Sequence, residues 1–217
     1  MKISPSDAIG ATARHVEDRE RDGQKVVVVI ASRTYPTTLD DLWDALTSKE
    51  RIARWFMPIS GDLRLGGHYQ LHGNAGGTVT ACDPPEKLAL TWEFAGQTSW
   101  VDVFLLPDPQ GGTSLTLEHS AVVDKGFWDQ YGPGATGVGW DLGFMGLGMH
   151  IKAPNNPLPD DYDTWTATPD AADFVRKLSD DWGAASIAYG TDREKALAAA
   201  ERTRQFYRGE TPPDQAG

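Results

Sequence analysis

Paired glycines and prolines divide the middle of the chain into short segments of similar length. The pairs are Gly66-Gly67, Gly76-Gly77, Pro84-Pro85 and Gly111-Gly112. Turn residues at this spacing, between short segments of alternating polar and apolar residues, are typical of antiparallel strands in a meander. The sequence therefore predicts six strands, at 62–65, 68–72, 78–82, 87–94, 99–107 and 113–123.

A segment rich in both glycine and large apolar residues, 137–151, follows the predicted meander. As a helix it carries two apolar stripes, formed by Val138, Leu142, Met145 and Met149 and by Trp140, Phe144, Leu147 and Ile151. A third stripe consists of Gly139, Gly143 and Gly146. Because each interior glycine costs a helix roughly 1 kcal/mol relative to alanine, we expect the backbone to approach a ligand or another helix closely on that side.

Regular structure is also predicted before the meander. The β-branched run at 26–30 predicts a strand. Thr38 then stands before an amphipathic helix with Asp40 and Asp41 in its first turn, and a second short helix is expected at 48–56. The predicted order is a strand, two helices, six strands and one long helix.

Two further helices are predicted at 169–189 and 192–207, because each has an apolar stripe at helical spacing. Gly190 is suited to end the first helix, and Thr191 with Glu194 forms a capping box for the second. The pair should form a helical hairpin, which either covers one side of the main domain or mediates a homodimer.

We expect four parts along the chain. Residues 1–23 mix polar and charged types without a period and predict a mobile arm. The main domain is expected at 24–152, and a proline-containing linker with the helical hairpin at 153–208. The tail at 209–217 is expected to be disordered.

The charge and the cysteine content restrict the function. A net charge of -11 and a pI near 4.8 oppose binding to the phosphate backbone of nucleic acid. The single cysteine, Cys82, cannot form an internal disulfide, which fits a reducing compartment. The longest apolar run, 137–151, contains Asp141 and His150 and is too short to span a bilayer, and the start of the chain lacks a secretion signal. We therefore expect a cytoplasmic protein that contacts neither nucleic acid nor membrane.

The chain resembles the START-like, or SRPBCC, superfamily. Within it, the chain is similar to the branch named for the activator of Hsp90 ATPase homologue, which is related to polyketide cyclases. The similarity covers residues 25–151. The motifs that carry it are TLDDLWDALTS at 38–48, RIARWF at 51–56, GGHY at 66–69, TACDPPEKLALTW at 80–92 and TSLTLEHS at 113–120.

The resemblance implies an α+β helix-grip fold, in which a curved antiparallel sheet wraps around a long C-terminal helix. A cavity between them would hold an apolar or amphipathic small molecule. GVGWDLG at 137–143 and RTRQFYRG at 202–209 also resemble an actinobacterial-type subgroup with a helical C-terminal extension. Because the superfamily includes ligand carriers, cyclases and co-chaperone-like domains, the fold leaves the function open.

Aromatic and methionine side chains are the main signal of a pocket, because aromatics supply contact area and methionine adapts its shape. The residues expected to contact a ligand are Trp55, Tyr69, Trp92, His119, Trp140, Phe144, Met145 and Met149. The same residue types also fill ordinary cores. We favour the hypothesis that the chain binds a small hydrophobic or aromatic molecule.

His119 alternates with Leu115 and Leu117, which predicts that its side chain points into the cavity. One interpretation is an acid or base of a cyclase or dehydratase, with Asp102 or Asp141 as a second group. The other is a core histidine that hydrogen-bonds a neighbour, with Asp141 on the outer edge of the helix or capping a backbone group. A third hypothesis is an interaction module that acts on a chaperone or another protein.

Metal and cofactor motifs are not evident. His68 and His72 lie on one strand face but about 13 Å apart, at about 3.3 Å per residue, which is too far to share a metal. The cluster Asp160, Asp161 and Asp163 lacks the glycine and the distal glutamate of a calcium loop. The glycine pairs do not form a phosphate-binding loop or a dinucleotide fingerprint. We therefore predict neither a metal nor a cofactor.

Overall fold

The computed structural model describes residues 12–156 and 162–210. Within these ranges the strands are β1 (Ala13–Arg21), β2 (Gln24–Tyr35), β3 (Ile59–Gly61), β4 (His68–Leu71), β5 (Gly76–Asp83), β6 (Lys87–Phe94), β7 (Gln97–Pro107) and β8 (Thr113–Ala121). The helices are α1 (Leu39–Thr47), α2 (Lys49–Trp55), α3 (Lys125–Tyr131), α4 (Gly134–Lys152), α5 (Tyr162–Trp165), α6 (Ala172–Tyr189) and α7 (Arg193–Tyr207). A short 3₁₀ segment, Pro169–Ala171, leads into α6.

The strands form one antiparallel sheet in the order β1-β2-β8-β7-β6-β5-β4-β3. The last six strands form the predicted meander, and β2 pairs with β8 in a register that places Val29 opposite His119. The sheet curves, and α4 packs on its inner face against β2 and α2. The predicted α+β helix-grip fold is therefore confirmed.

The core lies between the sheet and α4. The valines at 26–29 in β2 are all buried, as expected for a β-branched run that is covered on both faces. From α4, Val138, Phe144 and Leu147 are buried against the sheet. The hydroxyl of Tyr35 donates to the carbonyl oxygen of Phe144 at 3.0 Å, which ties the end of β2 to the middle of the helix.

The beginning of the described chain differs from the prediction. A mobile arm was expected up to residue 23, but β1 pairs with β2 along its whole length. The strand was missed because only Val16 of Ala13–Arg21 is buried, so no alternation is visible in the sequence. Asp22 and Gly23 both have positive φ angles, of 51° and 75°, which is the conformation of a two-residue hairpin turn. The arm's residues 1–11 lie outside the described residues.

Three local predictions also need correction. The strand expected at 62–65 is a turn, because the Asp62 carboxylate accepts the Arg64 backbone N–H at 3.1 Å, and β3 lies just before it. The loop expected after β8 contains α3, whose first turn is capped by the Asp124 side chain. Asp192, rather than Thr191, caps α7. The Thr191 hydroxyl instead lies 2.9 Å from the hydroxyl of Ser186.

The helices α6 and α7 form the predicted hairpin. Gly190 ends α6 in the left-handed conformation, with φ of 111°. The buried stripe of α6, which includes Phe174, Leu178 and Trp182, faces β1 and α4. The hairpin thus covers one side of the main domain, while the homodimer stays a prediction, as do the domain boundaries and the tail, of which 211–217 lies outside the described residues.

Among the described helices, none combines the length and the apolar character that crossing a bilayer requires.

Candidate ligand-binding site

A cavity of about 110 Å³ lies between the sheet and α4; we call it the inner cavity. The sheet supplies aliphatic side chains from strand positions two apart, including Val101, Val103, Leu115 and Leu117. The helix α4 supplies Trp140, Gly143, Phe144 and Leu147, and α2 supplies Ile52 and Trp55. The surface of the inner cavity is almost wholly apolar.

A larger and more open space of about 560 Å³ adjoins the inner cavity; we call it the outer groove. One side is formed by the first half of α4, with Thr136 and Gly139. The other sides come from distant parts of the chain, with Phe94 at the end of β6, Phe127 on α3, and Tyr162, Thr166, Phe206 and Tyr207 from the C-terminal extension. The side chains of Phe94, Phe127 and Phe206 are exposed, which leaves the mouth of the groove apolar.

An aromatic layer separates the two spaces. Phe56, Trp92, Trp140 and Gly143 line both the inner cavity and the outer groove. The rings of Phe56 and Trp140 stack with centroids 6.1 Å apart, and Trp92 meets Trp140 edge to face at 5.1 Å. Aromatic pairs in these geometries attract each other beyond the effect of buried area. The layer is therefore a wall that the two spaces share, and its side chains line both of them.

His119 belongs to this layer and is held through both ring nitrogens. The indole N–H of Trp140 donates to Nδ1 at 3.1 Å, and Nε2 lies 2.8 Å from Oγ of Ser99. The Ser99 hydroxyl in turn donates to the carbonyl oxygen of Trp92 at 3.1 Å. Because Nδ1 accepts a hydrogen bond, the proton of the neutral ring is on Nε2. Burial lowers the pKa of His119 to about 4, so the ring is neutral at pH 7.

Asp141 does not approach His119. The guanidinium of Arg14 donates to both of its carboxylate oxygens, at 3.0 and 2.9 Å, and the indole N–H of Trp182 donates at 2.8 Å. The expected position on the outer edge of the helix is wrong, because Asp141 is buried where β1, α4 and α6 meet. Burial raises the pKa of its carboxyl group, and the Arg14 guanidinium opposes that shift.

Asp102 lies on the opposite face of the sheet from the inner cavity. Its neighbours Val101 and Val103 point inward and are buried, so alternation places Asp102 outside. Its carboxylate accepts a hydrogen bond from Arg21 at 2.6 Å. The structure therefore brings neither of the two aspartate candidates to His119.

The predicted ligand-contacting residues divide into four groups. Trp55, Tyr69 and Phe144 line the inner cavity, Trp92 and Trp140 line both spaces, and His119 lines the outer groove. Met145 and Met149 line neither space. Met145 is buried in the core and Met149 packs against it. The pattern of helical stripes could not separate these two methionines from the lining residues, because a packed core also takes such stripes.

The glycines of α4 have different neighbours. A Cβ atom at Gly146 would lie 2.3 Å from the carbonyl oxygen of Trp55, and one at Gly139 would lie 2.9 Å from the hydroxyl of Tyr207. A Cβ atom at Gly143 would instead make ordinary contact with Phe56 at 3.5 Å, beside the two spaces. The glycine stripe thus allows close packing on α2 at Gly146 and contact with Tyr207 of the extension at Gly139, whereas Gly143 lines the two spaces. The ring of Trp182 packs on Gly137, outside the predicted stripe.

No group of three or more potential metal ligands occurs in the part of the chain that the structure describes. His68 hydrogen-bonds the hydroxyl of Thr78 at 3.0 Å. Asp160, Asp161 and the side chain of Asp163 lie outside the described residues.

A protein-family model matches this chain over residues 36–148, just over half of its length. The model describes activator of Hsp90 ATPase homolog 1-like proteins. The chain belongs to this family. Proteins of this SRPBCC-like fold commonly bind hydrophobic ligands.

Solved structures share the fold of this family member. CalU16 from Micromonospora echinospora is 29% identical; its crystal structure gives a TM-score of 0.63 and covers 82% of this chain and 98% of CalU16. Its solution structure gives a TM-score of 0.68 over 84% of this chain and 97% of CalU16. DynU16, from the dynemicin biosynthetic locus, is 22% identical, with a TM-score of 0.54 over 60% of this chain and 48% of DynU16, and shows the fold alone. No functionally curated protein matches the chain.

The outer groove extends beyond the segment that defines the family. The family match ends at residue 148, whereas Tyr162, Thr166, Phe206 and Tyr207 come later in the chain. Two of these side chains are tied to the helix: Tyr162 donates to the carbonyl oxygen of Leu142 and Tyr207 to that of Ala135, each at 2.6 Å. Sequence reasoning missed all four residues because their contacts with α4 join distant parts of the chain. Residues after the family segment therefore complete the lining of the outer groove.

Proposed function

We propose that the protein binds a small apolar or aromatic molecule in the inner cavity and the outer groove. The observation that carries this proposal is the pair of adjoining spaces that meet at the Phe56, Trp92 and Trp140 rings. Ligand sites in proteins are concave, mostly apolar and contain a few placed polar groups. The inner cavity and the groove have this composition.

The sizes of the two spaces support a ligand with two parts. The inner cavity of about 110 Å³ is comparable with an engineered apolar cavity of about 150 Å³ that takes benzene. It suits one ring or a short branched chain. The outer groove of about 560 Å³ suits a larger planar portion that stacks on Trp140.

The enzyme alternative receives less support from the contacts of His119. To transfer a proton to or from a ligand, its ring would have to release Trp140 or Ser99. Its lowered pKa, about 4, also makes it a weak base at neutral pH. A chaperone partner remains a prediction.

Replacing Gly143 by leucine tests the proposed site. The Cβ atom of the leucine has room beside Phe56, and the rest of its side chain would project from the wall that the two spaces share. We expect Gly143→Leu to remain folded, because leucine is the better helix former, and to lose at least tenfold in affinity for the neutral apolar dye N-phenyl-1-naphthylamine in a fluorescence titration.

Gly148→Ala is the matched control on the same helix. Its methyl group would meet Arg33 and Tyr35 at 3.5 Å or more, away from both spaces. This variant should bind the dye as the wild type does. Equal dye affinity in Gly143→Leu and the wild type, with both folded by circular dichroism, would refute the proposed site.

A further inference from the structure

The charge of the lining residues restricts what the site can bind. Among the described residues, no aspartate, glutamate, lysine or arginine side chain lines the inner cavity or the outer groove. This is unexpected for a chain of net charge -11 with many charged residues on its surface. An ionised ligand group buried in the inner cavity, or against the walls of the outer groove, would therefore lose water without gaining an opposite charge.

The titratable groups that do line the two spaces are uncharged at neutral pH. Burial lowers the pKa of His119 and raises the pKa of Tyr69 and of Tyr207. The Tyr69 hydroxyl donates to the carbonyl oxygen of Thr91 at 2.8 Å, so it is already satisfied inside the protein. The hydroxyls of Tyr162 and Tyr207 are likewise committed to carbonyl oxygens of α4.

Neutral polar side chains line the outer groove. They are the hydroxyls of Thr136 and Thr166 and the amide of Asn74, whose Oδ1 accepts the Ala75 N–H at 2.7 Å. Such groups recognise hydroxyl, carbonyl or amide groups of a ligand without supplying a counter-charge. They lie on the side of the aromatic layer away from the inner cavity.

We infer that the ligand is an electrically neutral, largely aromatic molecule with hydroxyl, carbonyl or amide groups at its outer end. This inference rests on the proposed function and restricts it, because it excludes ligands that place a carboxylate, phosphate or sulfonate inside the groove. The negative charge of the whole protein acts in the same direction, since it repels anions at long range. The amino end of α4 at Gly134 would instead favour an anion, because the start of a helix carries about half a positive charge.

Two dyes with the same skeleton test the inference on the full chain. N-phenyl-1-naphthylamine is neutral, and 8-anilinonaphthalene-1-sulfonate adds one sulfonate. We expect the neutral dye to bind at least tenfold more tightly in parallel titrations at neutral pH. Thr136→Lys places a cation in the groove and should reduce the ratio of the two dye affinities at least threefold. The uncharged Thr136→Gln, of similar length, should not reduce it.

Each outcome decides something specific. If the sulfonate binds as tightly as the neutral dye or more tightly in the wild type, the inference is wrong while the proposed function stands. If the neutral dye is preferred but Thr136→Lys does not narrow the ratio, the uncharged lining is not the cause and the inference is also overturned. If neither dye binds, the proposed function fails and this inference fails with it.

Discussion

At His119, burial favours the neutral ring, and the hydrogen bond from Trp140 fits that state. Trp140 donates to Nδ1, so a proton added there would break that contact and place a charge beside two indole rings. The arrangement positions Trp140, one of the residues that line both spaces. The role best supported for His119 is therefore to orient the aromatic layer.

This role predicts a pH dependence of folding stability. The pKa of His119 is about 4 in the folded protein and about 6.5 in the unfolded chain, so the unfolded chain binds the proton more tightly. Above about pH 6.5, His119 is neutral in both states and its titration does not affect stability. As the pH falls from about 6.5 towards about 4, proton uptake by the unfolded chain lowers the free energy of unfolding, by at most about 1.4 kcal/mol per pH unit. Urea unfolding at several pH values should show this loss in the wild type.

His119→Gln is the comparison, because glutamine can hydrogen-bond but does not titrate. Other groups, including His150, whose pKa is also lowered by burial, contribute equally to both proteins. The difference in unfolding free energy between wild type and variant should shrink from about pH 6.5 downwards. A difference that is constant with pH would contradict the neutral state of His119 in the folded protein.

Among the secondary structure elements, α4 shows how a single helix can serve packing and binding at once. Its close approach to α2 depends on Gly146, where a Cβ atom would lie 2.3 Å from a backbone oxygen that cannot rotate away. Gly148, two residues later, has ordinary space around it. Both glycines lie between a methionine and Leu147, but a side chain has room only at Gly148.

We expect Gly146→Ala and Gly148→Ala to change stability in opposite directions. The first should lower the unfolding free energy by about 1–3 kcal/mol, because α2 and α4 must move apart. The second should raise it by up to about 1 kcal/mol through helix propensity. Urea unfolding measures both, and a stabilised Gly146→Ala would show that the helices are not in close contact there.

The elements that sequence reasoning found are those with a clear period. The stripe of α1, the alternation of β8 and the long apolar run of α4 each indicate their structure locally. β1 was missed because its pairing with β2 depends on the Asp22-Gly23 turn and its faces do not alternate. The Asp22-Gly23 turn is itself a local hairpin signal, which the sequence prediction did not use.

At the scale of the whole molecule, the C-terminal extension supplies part of the lining of the outer groove. The sequence predicted the helix-grip fold, since the motifs of the family lie within 25–151, and five of the eight residues expected to contact a ligand line the inner cavity. It could not predict that Phe206 and Tyr207 line the groove or that Arg14, Asp141 and Trp182 join β1, α4 and α6. These contacts connect residues far apart in the chain.

The central claim is that an apolar ligand contacts the aromatic layer between the inner cavity and the outer groove. The most direct measurement is a titration of the ¹⁵N-labelled protein with N-phenyl-1-naphthylamine, observed at the tryptophan indole N–H signals. Trp182 is the internal control, because its N–H is bound to Asp141 on the other side of α4. We predict that the signals of Trp140 and Trp92 shift and that of Trp182 does not; a bound dye that leaves Trp140 and Trp92 unchanged would contradict the account.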